Sequence, residues 1–351
     1  MIDKLDTRDV WKHLQNTAKP IILYGMGNGA DMVIARLESL GVEFADIFAS
    51  DKFVRGQFFH GKQVQKYADI CQKYDDFIIV MTFGTHDAPT LELVKDLNAK
   101  HEFYSLTMPI VDNEVFTLNF VLENLPRFEK VYAMLADEKS KQSYINVLNF
   151  KITGKVDYLF ECHSEKDEIY KNIFRLDKNE HFVDLGAYDG DTIAEFLEAS
   201  GGEYNKITSF EPDAKNFKKL CAKTEDIQNL ERHNLGAWDK KEVLYFAKKA
   251  GRNSRIDEQG IAVNFDSVDN IVQDQVTFLK MDIEGAEKNA LAGAKSTILH
   301  DKPKLYICAY HRNEDFFVLP EFVMNLDLNY KIYFRQHIYV PAWESNFYCV
   351  F

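Results

Sequence analysis

The 351-residue chain carries 55 acidic against 42 basic side chains, a formal net charge of −13. A surface of that sign repels nucleic-acid phosphates and anionic lipids at long range, and no Lys/Arg cluster interrupts it, so neither is an expected partner. The five cysteines are dispersed without a CxxC pair, which argues against a disulfide framework or a zinc site. No apolar stretch reaches bilayer length, and the polar N-terminus lacks a signal-peptide core; a cytoplasmic protein is expected.

The length suits two domains, each able to bury its own core. An apolar run at 21–24 leads into Gly25-Met26-Gly27-Asn28-Gly29-Ala30, and an amphipathic segment over 31–41 closes on Gly41. Strand-like runs at 44–50 and 77–83, helical spacing at 91–100 and a strand near 103–106 follow. This alternation predicts a parallel sheet with right-handed crossovers, a Rossmann-like domain over residues 1–110. Gly25, Gly27 and Ala30 have dinucleotide-fingerprint spacing, and Asp51 follows the second strand. Thr82, Gly84, Thr85 and His86 are expected to face the same pocket. Many βα turns use such glycines without a nucleotide, so a scaffold, dimerisation or acceptor-presenting role stays open. Residues 111–180 break the rhythm. Their helical spacing, punctuated by Pro126, predicts a helical connector packed on one or both domains.

Alternation resumes at His181. Strands are expected at 181–186, 207–212, 230–238, 276–285 and 303–310, with helices from Thr192, from Asp213, and over 286–299 and 314–326. Apolar runs at 330–337 and 345–351 complete what a seven-stranded methyltransferase-type sheet requires, with its last strand antiparallel. The fold class is therefore α/β, with two Rossmann-like domains over 1–110 and 181–351.

The strongest motif is Asp184-Leu185-Gly186-Ala187-Tyr188-Asp189-Gly190-Asp191-Thr192, directly after a strand. Its glycines allow a tight turn at a helix N-terminus. Its three carboxylates would repel a diphosphate and attract a ligand carrying a sulfonium and an ammonium, so charge sign favours S-adenosylmethionine over NAD. Helix capping by Asp191 or Thr192 is the plainer reading of the same residues. Glu211 ends the next strand, where a carboxylate accepts ribose hydroxyls, and Asp282 and Glu284 stand at the carboxyl edge of a central strand. Three acidic strand ends in this order are far more specific than any one.

The segments DLGAYDGDT, FEP, LGAWD, KMDIEGAE and AYHRNED, over residues 140–351, resemble the FkbM family of S-adenosylmethionine-dependent methyltransferases. The resemblance implies a seven-stranded Rossmann-like methyltransferase acting on hydroxyls, commonly of sugars, glycans or polyketide-type products. It also implies that Asp184, Gly186, Tyr188 and Gly190 line the cofactor, that Glu211 holds its ribose, and that Ala237 and Trp238 fall on the adenine side. The full candidate cofactor set adds Ala187, Asp191, Thr192, Pro212 and Asp282. His181 stands where the family has an aliphatic residue.

An alcohol acceptor needs its proton removed, and His311, after the strand at 303–310, is the candidate base, with Asp282 and Glu284 as further catalytic candidates. Asp282 equally suits the cofactor ammonium. Asp282, Glu284 and His311 would suit Mn²⁺ or Fe²⁺ better than Mg²⁺, but nothing in the spacing demands a metal, and none is expected. Asn253, Ser254 and Arg255 lie in a polar loop suited to covering the cofactor, and Arg255 and Arg312 would suit an anionic acceptor. The expected partner is a small-molecule or glycan acceptor, and self-association is left open. The competing readings are an NAD-linked sugar-nucleotide oxidoreductase, which lacks a Tyr-xxx-Lys pair after the first glycine loop, and a non-catalytic nucleotide-binding protein.

Overall fold

The computed structural model describes residues 1–111, 114–246 and 261–351. Four short runs, buried almost throughout, form the first sheet: β1 (Ile21–Tyr24), β2 (Asp46–Phe48), β3 (Ile78–Met81) and β4 (Glu102–Ser105). All pair in parallel, in the order β2-β1-β3-β4. Strands buried on both faces read as continuous apolar runs rather than alternating ones, which is the pattern of 21–24 and 78–81.

Helix α1 (Asn28–Ser39) follows the glycine loop. A Cβ on Gly29 would lie 2.1 Å from the Thr82 carbonyl oxygen, and one on Gly25 would lie 2.5 Å from the Phe83 ring. These two glycines let α1 and the loop close on the turn after β3. Gly27 alone has nothing within 4 Å of that position. Gly29→Ala should therefore cost about 1–3 kcal/mol of unfolding free energy, as overpacking does. Denaturant titration showing no loss would return Gly29 to a ligand-facing role.

The second sheet has seven strands: β5 (His181–Leu185), β6 (Lys206–Phe210), β7 (Leu230–His233), β8 (Phe278–Met281), β9 (Lys304–Cys308), β10 (Lys331–Gln336) and β11 (Ser345–Val350). Their order is β10-β11-β9-β8-β5-β6-β7, with β11 antiparallel to both neighbours and the others parallel where they meet. One face buries Phe182, Phe196 and Phe278, with the Phe182 ring stacked on the other two at 4.6 and 4.7 Å. Each such burial contributes about 1.5–3 kcal/mol. His181 is also buried, between the Gln275 carbonyl (3.0 Å) and the Thr208 hydroxyl (2.9 Å), so both ring nitrogens have partners where the family has an aliphatic side chain.

Two expected elements are divided. The run at 230–238 ends as β7 at His233, and Gly236–Ala237 joins a separate three-stranded sheet with Glu242–Phe246 and Ile261–Asp266. The helix expected over 286–299 breaks at Ala294 into Glu287–Gly293 and Lys295–Asp301. Gly293 sits where a Cβ would be 1.9 Å from the Trp238 carbonyl oxygen, so the small sheet presses on the helix there.

Between the two sheets, helix α2 (Glu138–Thr153) is buried along most of its length. The Tyr144 hydroxyl donates to the Phe316 carbonyl (2.9 Å), and the Asn149 amide donates to the Lys4 carbonyl (3.1 Å). One helix thus binds elements of both halves. A second link joins the turn after β3 to the β10–β11 hairpin through reciprocal backbone bonds between Thr85 and Val340, 2.7 and 2.9 Å. Among the described residues no helix is long and apolar enough to cross a membrane.

Candidate active site

The carboxyl ends of β5, β6 and β8 carry the motif residues. Register decides the first of them: Asp184 on β5 lies opposite Lys280 on β8, both almost completely buried, with Nζ 3.1 Å from Oδ1. Lys280 also donates to the Thr192 hydroxyl (3.1 Å). Burial works against its charge, but Asp184 and Asp282 outweigh burial and hold the ammonium well above its ordinary range. Asp184 is therefore buried beneath the loop and paired with Lys280. Asp189 is paired too, with Lys223 at 2.6 Å. Of the three loop carboxylates only the exposed Asp191 keeps its charge for a ligand.

Gly186 has φ +86°, and a Cβ there would lie 1.9 Å from the Asp282 carbonyl oxygen, so only glycine lets the ends of β5 and β8 meet. Ala187 is buried, while Tyr188, with φ +46°, exposes 46% of its surface. Gly190 (φ +93°) ends the loop, and Asp191 and Thr192 open helix α3 (Asp191–Ala199).

Glu211, at the end of β6, is 5% exposed and accepts the backbone N–H groups of Tyr188 (2.9 Å) and Asp213 (2.8 Å). Burial outweighs these donors and pushes its carboxyl up to about 7. One residue thus ties the glycine loop to the second strand end, with Pro212 half-buried beside it. The Asn234 amide donates to the Glu211 carbonyl (2.8 Å), which draws the chain toward Ala237 and Trp238. Ala237 is buried, and the Trp238 ring packs edge-on against Phe265 at 5.6 Å.

After β8 the chain turns sharply, with Glu284 at φ +54° and Gly285 at φ +89°. A non-glycine residue at such a φ is uncommon and clusters at functional turns. Asp282 accepts from the Tyr310 hydroxyl (2.9 Å). Burial would raise its carboxyl, but the Lys280 and His311 charges hold it low. Arg312 donates through Nε to the Gly285 carbonyl (2.9 Å) and so buttresses the turn.

His311 is 3% exposed, not at the rim of the crevice. Its Nδ1 lies 2.9 Å from Glu287, and its Nε2 lies 3.5 Å from Asp282 and 3.6 Å from Glu284. Burial would lower its pKa, but the three carboxylates push it up to about 10. At neutral pH it is an imidazolium without a free lone pair, which conflicts with the expected base role. Ligand atoms of Asp282, Glu287 and His311 lie within 4.8 Å of one another, close enough for a metal ion. However, Glu287 and Asp282 flank opposite nitrogens of the ring, so the imidazolium itself serves as their counter-ion.

Over Lys280 lies a polar cavity of about 110 Å³. Asp191, Thr192 and Asp282 form its loop side, and Lys166 and Glu344 stand opposite. Lys280, Glu287, Lys166 and Glu344 were not singled out from sequence. Lys280 alone left a signal, a charged residue inside an otherwise apolar central strand.

In the first half of the chain, a cavity of about 260 Å³ is lined mainly by Tyr24, Phe48, Tyr67, Leu93 and Leu97, with Ser50 and Asp51 beside them. Thr82 and its neighbours do not face it as a group. The Thr82 hydroxyl bonds the Tyr24 carbonyl (3.1 Å), while Gly84, Thr85 and His86 turn toward Trp343, Val340 and Tyr339. Asn253, Ser254 and Arg255 lie outside the described residues.

A seven-stranded sheet with one antiparallel strand, ending in a glycine turn and acidic strand ends, defines a methyltransferase-type domain. Residues 184–332 match the family model described as the methyltransferase FkbM domain. The match is shorter than the 140–351 expected from the motifs. The crystal structure of methyltransferase FkbM from Methylobacillus flagellatus is similar over 99% of this chain and 95% of its own, at 22% identity and TM-score 0.76, so both halves share its fold. An rRNA methylase from Streptococcus thermophilus aligns with 52% of this chain and 91% of its own, at 17% identity and TM-score 0.35. Fibrillarin from Aeropyrum pernix, solved with natively bound S-adenosyl-L-methionine, aligns with 53% of this chain and 73% of its own, at 14% identity and TM-score 0.33. No curated protein matches the chain.

Proposed function

We propose that the C-terminal domain transfers a methyl group from S-adenosylmethionine to a hydroxyl of a sugar, glycan or related natural product. The observation that carries this reading is Glu211, a buried carboxylate at the second strand end whose two oxygens each accept one backbone N–H and keep further lone pairs. That arrangement suits a ribose diol. Around it, Gly186 and Gly190 leave room for close approach, and Asp191 and Asp282 supply negative charge for an ammonium and a sulfonium. The residues present fit such a donor. When bound, it brings an electrophilic methyl group that leaves a neutral thioether behind.

The chain's own part is alignment and charge. Asp282 is held ionised by Lys280 and His311, ready to accept from the ligand ammonium. His311 in turn fixes the Asp282–Glu284 turn from behind, a positioning role rather than a base. The glycine loop of the first half answers packing needs at Gly25 and Gly29, which favours this reading over an NAD-linked oxidoreductase.

Calorimetry with S-adenosylmethionine and with NAD, separately, distinguishes the two. Glu211→Ala should weaken binding of the methyl donor by about 1.5–3 kcal/mol, the range for hydrogen bonds to a charged partner. Affinity for the donor should also rise as pH increases through about 7, because only the ionised Glu211 accepts from both hydroxyls. An unchanged dissociation constant in the variant would remove Glu211 from the site, and with it the reading.

A further inference from the structure

Glu211 does not line the polar cavity, whereas Asp191 and Asp282, the acids given above to the donor's charged end, do, and the cavity continues from them to Glu344. Its floor is the buried Lys280, and Tyr306, 4% exposed, lies next to Lys280 in the sheet register. The far wall is Glu344, at the end of the β10–β11 connection, with Lys166 at 3.9 Å. Lys166 is committed more closely to Glu195, at 3.0 Å, and Lys280 to Asp184. Glu344 is half-buried, and its carboxyl is raised by burial against the opposing Lys166 charge. The N-terminal half fixes this wall. Thr85 exchanges backbone bonds with Val340, and Gly84 sits where a Cβ would be 2.5 Å from the Trp343 ring, one residue before Glu344.

We propose that this cavity receives the acceptor, that Glu344 takes the acceptor's proton, and that the reacting edge of the acceptor is an uncharged polyol. This rests on the methyl-transfer reading above. The acceptor oxygen bonds the methyl carbon while the carbon–sulfur bond breaks with its electron pair left on sulfur; the hydroxyl proton passes to the Glu344 carboxylate. With the donor bound, Asp191 and Asp282 answer its cations, Glu195 pairs with Lys166 and Asp184 with Lys280, so Glu344 is the acid left to repel a phosphate or carboxylate next to the reacting hydroxyl. A ring bearing only hydroxyls meets donors and acceptors on every side. His311 does not line the cavity, whereas Glu344 does.

The test uses full-length protein saturated with S-adenosylhomocysteine, whose binding is first checked by calorimetry. If S-adenosylhomocysteine does not bind, the methyltransferase reading fails and this inference falls with it. With it bound, crystals are soaked in neutral monosaccharides and, separately, in the corresponding sugar phosphates. Neutral sugar seated against Glu344 is the expected result. Sugar phosphate in the cavity, or no neutral sugar there, overturns the inference while leaving the donor site standing. With an acceptor found in this way, Glu344→Gln should lower turnover by about 10²–10⁴-fold, the usual share of a positioned base, with S-adenosylhomocysteine affinity unchanged. Glu344→Asp should recover part of the loss and keep the pH dependence that the Gln variant abolishes. Full turnover in Glu344→Gln would end the proton-accepting role.

Discussion

Lys280→Met should lower the unfolding free energy by about 3–5 kcal/mol at neutral pH, the cost of leaving a buried charge without its partner. Lys280 and Asp184 are neighbours in the β5–β8 register, both essentially without solvent contact, and the ammonium lies 3.1 Å from the carboxylate. Removing the cation leaves Asp184 in the centre of the sheet with only protonation as relief. Burial already holds the Asp184 carboxyl above its usual range, so the loss should shrink as pH falls. Denaturant unfolding of the single variant and of Lys280→Met/Asp184→Leu makes the comparison. The double variant should regain most of the stability, because apolar replacement of a whole buried pair is often neutral. It should nonetheless bind the methyl donor poorly, since Thr192 and Asp282 lose the ammonium that organises them. A loss below about 1 kcal/mol in the single variant, the value of an exposed pair, would show that Asp184 has another partner.

That pair also shows what could be read in advance. The order of strands and helices was legible because apolar runs and glycine turns are local signals, and the acids of the loop and strand ends stood out for the same reason. The sign of the site was only half legible. Asp184 and Asp189 looked like charges offered to a ligand, but their cations, Lys280 and Lys223, lie 96 and 34 residues away, and register and helix packing alone bring them together. The same holds for Glu287, which sits on a helix face with nothing in its spacing to mark it as the partner of His311. Glu344 lies beyond the last motif, and its place depends on a contact between the two halves of the chain. The division of the run at 230–238 was hidden because Gly236 and Ala237 pair with a strand far along the sequence. Tertiary partners decide charge, and spacing does not record them.

His311→Asn should destabilise the protein by about 3–5 kcal/mol near neutral pH, because it removes the cation among buried carboxylates. The groups facing the ring are Glu287 at Nδ1, Asp282 and Glu284 at Nε2, Tyr310 against its face, and Asp315 nearby. The pH dependence has a definite sign. In the folded protein the imidazolium is held up to about 10, above its unfolded value of about 6.5. A raised base contributes stability that is complete below the unfolded pKa and is lost as pH rises through the folded one. The gap between wild type and His311→Asn should therefore be greatest below about pH 6.5 and close toward pH 10. Asp315, whose carboxyl is raised by burial and by Glu287 and drawn down by His311, rises further once the ring is removed. Urea titrations of the two proteins across this range give the measurement. A gap that stays constant from neutral to alkaline pH would mean the ring is already neutral there, with a lone pair to offer. Only in that case does the base return to His311, and the buried carboxylates around it would then need a different counter-charge.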